Sequence, residues 1–389
     1  MTINKVLIVG AGIGGLAAAA ALGQRGVEVD VVEIRETATV LGVGINQPGN
    51  SLRALRELGV LDEVLAAGFT FDGNDYRDAD DERIVLVPSS LGQDDVPANC
   101  GLTRKDLHAI LLKAAESAGA TIQYGAEVAD FSEDADGVDA TFSNGENGRY
   151  DLVVAFDGIR SPMRRRVLGQ ELVPSYTGSA VWRKQVPRPA SVTRTMLWQG
   201  EGVKGGVIPL SETHMYMLLV TVEPSDVRHP EQDLAPLLKQ RLSGFKGLLG
   251  DIRDSLDEDP DGIVYSPLVE MNVPLPWHRG RVIVLGDAVH AAVPHLTQGA
   301  AMAVEDAVVL ADELQRDRPL EESLQVIEQL RHPRTELVFQ ASHGILAQEQ
   351  TITAETLPFA IDGMRAHLAE QTAHVEAVLN QPFRALQHQ

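Results

Sequence analysis

Two carboxylates and two sets of glycines carry the chemistry that reads most clearly in this chain. Gly10-x-Gly12-x-x-Gly15 follows the apolar run Val6-Leu7-Ile8-Val9, and Glu33 closes the next strand-like run, Val27 to Val32. The first glycine permits a tight turn, the second lets backbone approach a diphosphate, and the third lets helix and strand touch. Ile13, Gly14 and Leu16 complete the turn and open a helix that is almost all alanine to Leu22. Its N-terminal N–H groups face the same diphosphate. A carboxylate about 20 residues past the glycines, as Glu33 is, accepts hydrogen bonds from ribose hydroxyls and repels a 2′-phosphate. The second carboxylate, Asp287, follows Val282-Ile283-Val284-Leu285-Gly286. It ends a buried parallel strand, where α/β sheets bind ligands, and an acceptor there suits the hydroxyls of a ribityl chain. The helix that opens at Gln298-Gly299-Ala300 turns its positive end toward the same place, and Gly299 and Ala300 let the backbone approach a flat ring. Between the two carboxylates, Asp151 to Phe156 repeats the buried-strand pattern and stops at Asp157-Gly158. The first motif alone does not separate NAD from FAD. The three together point to FAD, held non-covalently from both ends.

These residues need a large scaffold to bring them together. At 389 residues the chain is long enough for two or three domain-sized units. The glycine motifs imply a discontinuous α/β Rossmann-like domain over 1–70, 98–174 and 266–345. Within it Ala120 to Tyr124 reads as a strand, Val128 begins another, and Thr103 to Ala118 is an amphipathic helix with Leu107, Ile110, Leu111 and Ala114 on one stripe. Residues 41–46, including Ile45, read as an extended loop, and Ser51 to Leu58 as a helix. Residues 71–97 and 175–265 alternate apolar and polar, as in Ala180 to Gln185, Thr195 to Gln199, Val203 to Pro209 and His214 to Val222. They imply an inserted, mostly antiparallel β-sheet substrate domain. Residues 300–380 look helical, with 346–389 as a C-terminal helical segment.

Composition excludes several classes of function. A net charge of −22 argues against nucleic acid and anionic membrane surfaces as partners. The local cluster Arg164-Arg165-Arg166 reads as the charged end of a helix. Cys100 is the one cysteine, so no internal disulfide, CxxC redox pair or cysteine-based metal site can form, and thiol-disulfide flavoenzymes are excluded. No metal site is expected. No apolar run reaches ~18 residues, so no membrane span is expected. The first strand begins within a few residues of Met1, so no signal peptide and a cytoplasmic location are expected.

The three motifs together resemble the single-component FAD-dependent aromatic hydroxylases, the group that includes salicylate, 3-hydroxybenzoate and para-hydroxybenzoate hydroxylases. The resemblance rests on Gly10 to Gly15 with Glu33, on Asp151 to Ser161, and on Gly286-Asp287 through Pro294, Gln298-Gly299 and Glu305-Asp306. It implies that Arg104 lies against the cofactor, that the backbone of Val128 meets the adenine, and that Asp157 contacts FAD. It also implies NADH or NADPH and O2 as co-substrates and hydroxylation of a small phenolic or aromatic-acid substrate through a flavin C4a-hydroperoxide. Phe156 and Thr297 stand where the family has small residues. Ile34 stands where it often has arginine, a role open to Arg35.

The substrate side is less legible. On strand 214–219, His214, Tyr216 and Leu218 share one face and Met215, Met217 and Leu219 the other, and either could face inward. The His/Tyr pair that some relatives place near Pro209 is missing; Lys204, Val207 and Ile208 are there instead. Lys204, His214, Tyr216 and His290 are the candidates for proton chemistry, against the plainer reading of each as a packed or solvated side chain. Arg183, Val207, Ile208, Met215 and Pro294 are the candidates for the substrate pocket. Glu305 and Asp306 are expected to be structural, because adjacent helix positions do not face each other. The competing readings are an FAD-dependent oxidoreductase or dehydrogenase that does not use O2, a non-catalytic FAD-binding protein, and a flavin-dependent halogenase. The last should carry Trp-x-Trp-x-Ile-Pro, which does not occur here. The expected assembly is a monomer or homodimer.

Overall fold

The structure is a computed structural model that describes residues 3–38, 42–93, 95–169 and 172–384. The first part runs β1 (Lys5–Val9), α1 (Ile13–Gly23), β2 (Glu28–Glu33), β3 (Gly44–Pro48), α2 (Gly49–Glu57), α3 (Leu61–Ala67), β4 (Phe69–Phe71), β5 (Gly73–Asp78), β6 (Arg83–Pro88) and β7 (Asn99–Thr103). It continues through α4 (Arg104–Ser117), β8 (Thr121–Tyr124), β9 (Val128–Glu133), β10 (Val138–Phe142), β11 (Asn147–Tyr150), β12 (Leu152–Ala155) and α5 (Pro162–Leu168). The middle holds β13 (Ser175–Pro187), β14 (Thr195–Gln199), β15 (Val203–Pro209), β16 (His214–Val222), α6 (Glu231–Arg241), α7 (Gly247–Ser255) and β17 (Val264–Glu270). The rest is β18 (His278–Arg279), β19 (Val282–Val284), α8 (Asp287–His290), a 3-10 turn at Pro294–Leu296, α9 (Gly299–Glu313), α10 (Leu320–Gln350) and α11 (Leu357–Leu379).

Two sheets organise these elements. The first has the order β18-β19-β12-β1-β2-β8 and is parallel except at β18. Its central strands are buried on both faces, so they read as unbroken apolar runs. Helix α1 is buried all round, and its alanines let it lie close to the sheet and to α9. The second sheet has the order β17-β13-β16-β15-β14-β5-β6, antiparallel except for the parallel β14–β5 pair. Strands β5 and β6 therefore join the strands of 175–270 although residues 89–174 separate them. Helices α6 and α7, which the strand-like alternation did not announce, cover one face of this sheet.

Several expected boundaries shift. Residues 44–48 are not loop but strand β3, paired with β7; Leu41 lies outside the described residues. The expected cut at 265/266 falls inside β17, which pairs with β13, and the cut at 345/346 falls inside the continuous helix α10.

Candidate active site

The glycine turn is tight at both ends and open in the middle. Gly10 has φ +104°, and a Cβ there would lie 2.5 Å from the carbonyl oxygen of Phe156. A Cβ on Gly15 would lie 1.9 Å from the oxygen of Gly10. At exposed Gly12 nothing lies within 4 Å, so the backbone there is bare toward a ligand. Glu33 ends β2 half-buried beside this opening; its Oε2 accepts from Ala11 N (2.9 Å) and its Oε1 from Arg35 N (3.0 Å). His108 of α4 meets Ala11 O at 2.9 Å and braces the turn from behind. Ile34 is 65% exposed and Arg35 is exposed. Ile13 and Ile45 are half-buried on the rim. Leu16 does not reach the opening: its N–H already bonds Gly12 O and its side chain is in the core.

The other end of the trough is built on α9. Asp287 is exposed, and its Oδ1 lies 3.9 Å from the Cβ position of Gly299. Pro294 is exposed, while Gly299 and Ala300 are half-buried at the N-terminus of α9. Gln298 is turned inward instead. Its amide exchanges hydrogen bonds with Asn50 at 2.9 and 3.1 Å, and Asn50 also donates to Glu305. Arg104 begins α4 half-buried and packs on Gly42, where a Cβ would meet its Cδ at 2.7 Å. Buried Asn46 donates to Asn99 and Thr297, but its Oδ1 has no partner. Thr297 itself has φ +54°, a left-handed conformation that a β-branched residue adopts only under constraint. The bare glycine turn, the Glu33 carboxylate, the exposed Asp287 carboxylate, the N-terminus of α9 and the orphan acceptor of Asn46 are groups whose chemistry fits FAD.

Two expected cofactor contacts, Asp157 and Val128, have protein partners. Asp157 Oδ2 accepts from Met163 N (3.0 Å) at the start of α5, while Oδ1 is buried without a partner. Burial pushes this carboxyl above its usual range, against the opposing hydrogen bond from Ser161. Phe156 fills the space between Gly14, Gly286 and Ala303. Val128 is buried and its carbonyl accepts from Arg166. Arg164 is also buried, donating to the carbonyls of Ile159, Leu172 and Ala288, so only Arg165 and Arg166 form the charged helix end.

Glu305 and Asp306 are both buried and both structural, joined by arginines of α10. Arg331 reaches Asp306 at 2.7 Å and Glu305 at 2.9 Å, and Arg334 grips Glu305 at 2.8 Å. His290 belongs to this network, with Nε2 2.6 Å from Asp306 Oδ2, and is packed on Trp277. It is therefore not available to a substrate. Burial would raise Asp306, but His290 and Arg331 outweigh it and hold the carboxyl at about 2.

The register of the second sheet settles which face is inward. Arg183, Leu218, Gly206, Leu197 and Tyr76 form one transverse row across five strands. The flanking rows carry Gln185-Tyr216-Ile208-Thr195 and Val181-Val220-Lys204-Gln199. This face meets the FAD trough: the Tyr216 ring lies on Gly44, and Val181 and Val220 pack with Val293 and Leu346. Val207 and Met215 point the other way, into the core under α6 and α7, so neither lines a pocket. Ile208 faces the trough but is sealed among Phe71, Leu210 and Tyr216. His214 is exposed at the sheet's rim and bonds Thr213, away from any enclosed space.

The middle row is the candidate wall of a substrate chamber. Arg183, Leu218, Leu197 and Tyr76 keep accessible surface, while Gly206 is buried where Leu197 and Leu218 close over it, 2.8 and 3.2 Å from the position of a Cβ. Yet desolvation dominates the environment of Arg183, Tyr216 and Tyr76, so the surface is internal. It lowers the Arg183 guanidinium and pushes the Tyr216 phenol up to about 12. No carboxylate among the described residues pairs with Arg183; its charged neighbours are Tyr216 and Arg104. Beside the row, Lys204 Nζ binds Glu349 Oε1 (2.8 Å) and His295 Nε2 meets Glu349 Oε2 (3.1 Å). Burial would raise Glu349, but Lys204 and His295 hold it at about 2. Sequence reasoning missed Asn46, Tyr76, Gly206, His295 and Glu349. The Gly205-Gly206 pair inside an apolar strand was the usable signal, since glycine there marks close approach of a ligand or backbone.

Comparison with known proteins agrees with this geometry. The family described as FAD binding domain matches residues 4–342. YetM of Bacillus subtilis (strain 168), designated an FAD-dependent monooxygenase, is 35% identical over 334 residues, covering 85% of this chain and 90% of its own. The 2-heptyl-3-hydroxy-4(1H)-quinolone synthase of Pseudomonas aeruginosa (strain PAO1) is 33% identical, covering 86% of each chain. Among solved structures, Klebsiella pneumoniae HpxO complexed with FAD and uric acid has a TM-score of 0.86 at 25% identity, covering 97% of this chain and 96% of that one.

Proposed function

The chain belongs to the FAD-dependent monooxygenases that carry this FAD-binding domain, and from that premise we propose that its chamber takes a small aromatic substrate with an acidic oxygen. The enzyme uses FAD with NAD(P)H and O2 to hydroxylate an aromatic or heteroaromatic ring. FAD supplies the electron transfer and the oxygen chemistry. YetM is designated a monooxygenase, which favours O2 chemistry over O2-independent dehydrogenation or halogenation.

The chain's own residues bind, orient and keep the site dry. The Gly10–Gly15 turn would hold the diphosphate, with Gly12 closest, and Glu33 the adenosine ribose. Asp287 would accept from the ribityl hydroxyls. The N-terminus of α9, at Gly299 and Ala300, would face the edge of the ring that becomes negative on reduction. Arg104, Ile34 and Ile45 would flank the cofactor. Leu197 and Leu218, closed over Gly206, would give the substrate ring an apolar wall and exclude water.

The observation that carries the substrate reading is Arg183. A guanidinium deep in protein, with no carboxylate to meet it, is costly unless something else supplies the negative charge. A carboxylate, phenolate or acidic heterocycle oxygen would do so. The reading includes a cytoplasmic monomer or homodimer, in keeping with its use of NAD(P)H. The test is NADH and NADPH oxidation across a panel of hydroxylated aromatic acids and acidic N-heteroaromatics, with product masses. At least one should stimulate oxidation and gain one oxygen atom, and its neutral isostere should not.

A further inference from the structure

The proton chemistry of the chamber falls to none of the four residues first considered. His214 is exposed, His290 is locked into the Asp306–Arg331 network with its ring packed on Trp277, Lys204 is ion-paired, and Tyr216 is buried against Gly44. His295 is different. It sits in the turn between Pro294 and α9, with its side chain 1% exposed. Its Nε2 lies 3.1 Å from Glu349 Oε2. A carboxylate only accepts, so Nε2 carries the proton. Lys204 satisfies the other oxygen of Glu349 at 2.8 Å, which fixes that carboxylate in place. Nδ1 is then left as a bare lone pair, and it is buried with no donor to meet it. Desolvation and Lys204 favour the neutral ring, against Glu349, which keeps Nδ1 an acceptor.

A buried acceptor without a donor calls for an explanation, and a bound ligand is one. The placement supports that answer. Lys204, which grips the same Glu349, lies in the row next to that of Gly206. Arg183 stands in the chamber row as a donor lacking an anion. Arg183 is thus an unmatched cation, and His295 Nδ1, joined to the neighbouring row through Glu349 and Lys204, is an unmatched acceptor.

We propose that His295 Nδ1, oriented by the Glu349–Lys204 pair, accepts a hydrogen bond from a ring hydroxyl or ring N–H of the substrate. Built on the aromatic-hydroxylase reading, this narrows its substrate class. The ring carries a hydrogen-bond donor as well as the acidic oxygen that Arg183 meets. His295 is then a specificity-determining residue. A site built around such a bond rejects the analogue that lacks the donor, because its own buried group is left unpaired.

Three probes and two variants test this without turnover. Dissociation constants of benzoate, 3-hydroxybenzoate and 3-methoxybenzoate are read from the flavin absorbance of oxidised holoenzyme. The wild type should prefer the hydroxy over the methoxy compound by roughly 5- to 150-fold, the range for leaving a buried acceptor unpaired. His295→Gln keeps a donor for Glu349 but loses the Nδ1 acceptor, and should lose that preference while benzoate binds as before. His295→Asn keeps an acceptor near the Nδ1 position and should retain part of it. A purely structural role for the Glu349 contact gives the reverse order and overturns the proposal. Failure of all three probes to bind, or equal binding of the hydroxy and methoxy compounds, overturns it too. In wild-type holoenzyme labelled with nitrogen-15 histidine, the Nδ1 resonance of His295 should move with 3-hydroxybenzoate and stay with 3-methoxybenzoate. If the enzyme transfers oxygen to an aromatic ring while these preferences are absent, only the His295 role falls. If it holds no FAD and transfers no oxygen, the functional reading itself falls.

Discussion

Replacing Arg183 with methionine should strengthen the fold while weakening the enzyme's grip on its substrate. Methionine keeps most of the unbranched stem and removes the charge. Desolvation lowers the Arg183 guanidinium from its ordinary value, and Arg104 pushes the same way, against Tyr216. A base whose folded value lies below its unfolded one is more readily charged in the unfolded chain. It therefore opposes folding at every pH below the folded value, which covers the whole working range. Removing the charge should add on the order of 1 kcal/mol, allowing for relaxation around a buried ion. An anionic ligand should lose a charge-assisted hydrogen bond of about 1.5–3 kcal/mol, or roughly a 10- to 150-fold weaker dissociation constant. Urea denaturation of FAD-saturated protein measures the first effect, and titration with 3-hydroxybenzoate the second. Lys184→Met is the control, because Lys184 is the next residue on the same strand but faces away and pairs with Asp259. It should give neither effect. An Arg183→Met protein that is less stable and binds the ligand as well as wild type would refute the reasoning.

Three further outcomes follow from the same geometry. Glu33→Ala removes the acceptor for Ala11 N and Arg35 N beside the diphosphate turn, and FAD affinity measured by fluorescence titration should fall by about 1–3 kcal/mol. Glu349 is held at about 2, below its unfolded value, so its stabilising contribution is complete above the ordinary glutamate range and is lost as pH falls toward 2; stability measured across that window should fall less steeply in Glu349→Gln. Thr297 has φ +54°, so Thr297→Gly should relieve about 1–2 kcal/mol of left-handed strain against about 0.5–1 kcal/mol of added chain entropy, a small net gain in melting temperature.

The parts of the fold that were legible are those where burial leaves a one-dimensional pattern. β1, β12 and β19 are covered on both faces, so each reads as an apolar run stopped by the residues that line the trough. Strands β13 to β16 were legible as strands, but their inward face was not. Met215 and Met217 are buried under α6 and α7, while Tyr216 is buried against Gly44, so alternation distinguishes two faces without saying which meets the cofactor. Glu305 and Asp306 illustrate a different limit. Their neutralising partners, Arg331 and Arg334, lie a helix away, and nothing local announces that both carboxylates are buried. His295 was overlooked beside Pro294 because its role depends on Glu349, 54 residues further along the chain. Residues 41–46 were read as an extended loop, yet 44–48 form β3, and Gly44 is needed where the Tyr216 ring leaves no room for a Cβ.

The central claim is that this chain inserts one atom of dioxygen into an aromatic ring. The most direct measurement supplies oxygen-18 dioxygen, NADH or NADPH, and the aromatic acid that best stimulates NAD(P)H oxidation, and weighs the product. The account predicts a product carrying one oxygen-18 atom, formed in proportion to the NAD(P)H consumed. A product without the heavy isotope, or NAD(P)H oxidation that yields only hydrogen peroxide with every aromatic tried, would contradict it.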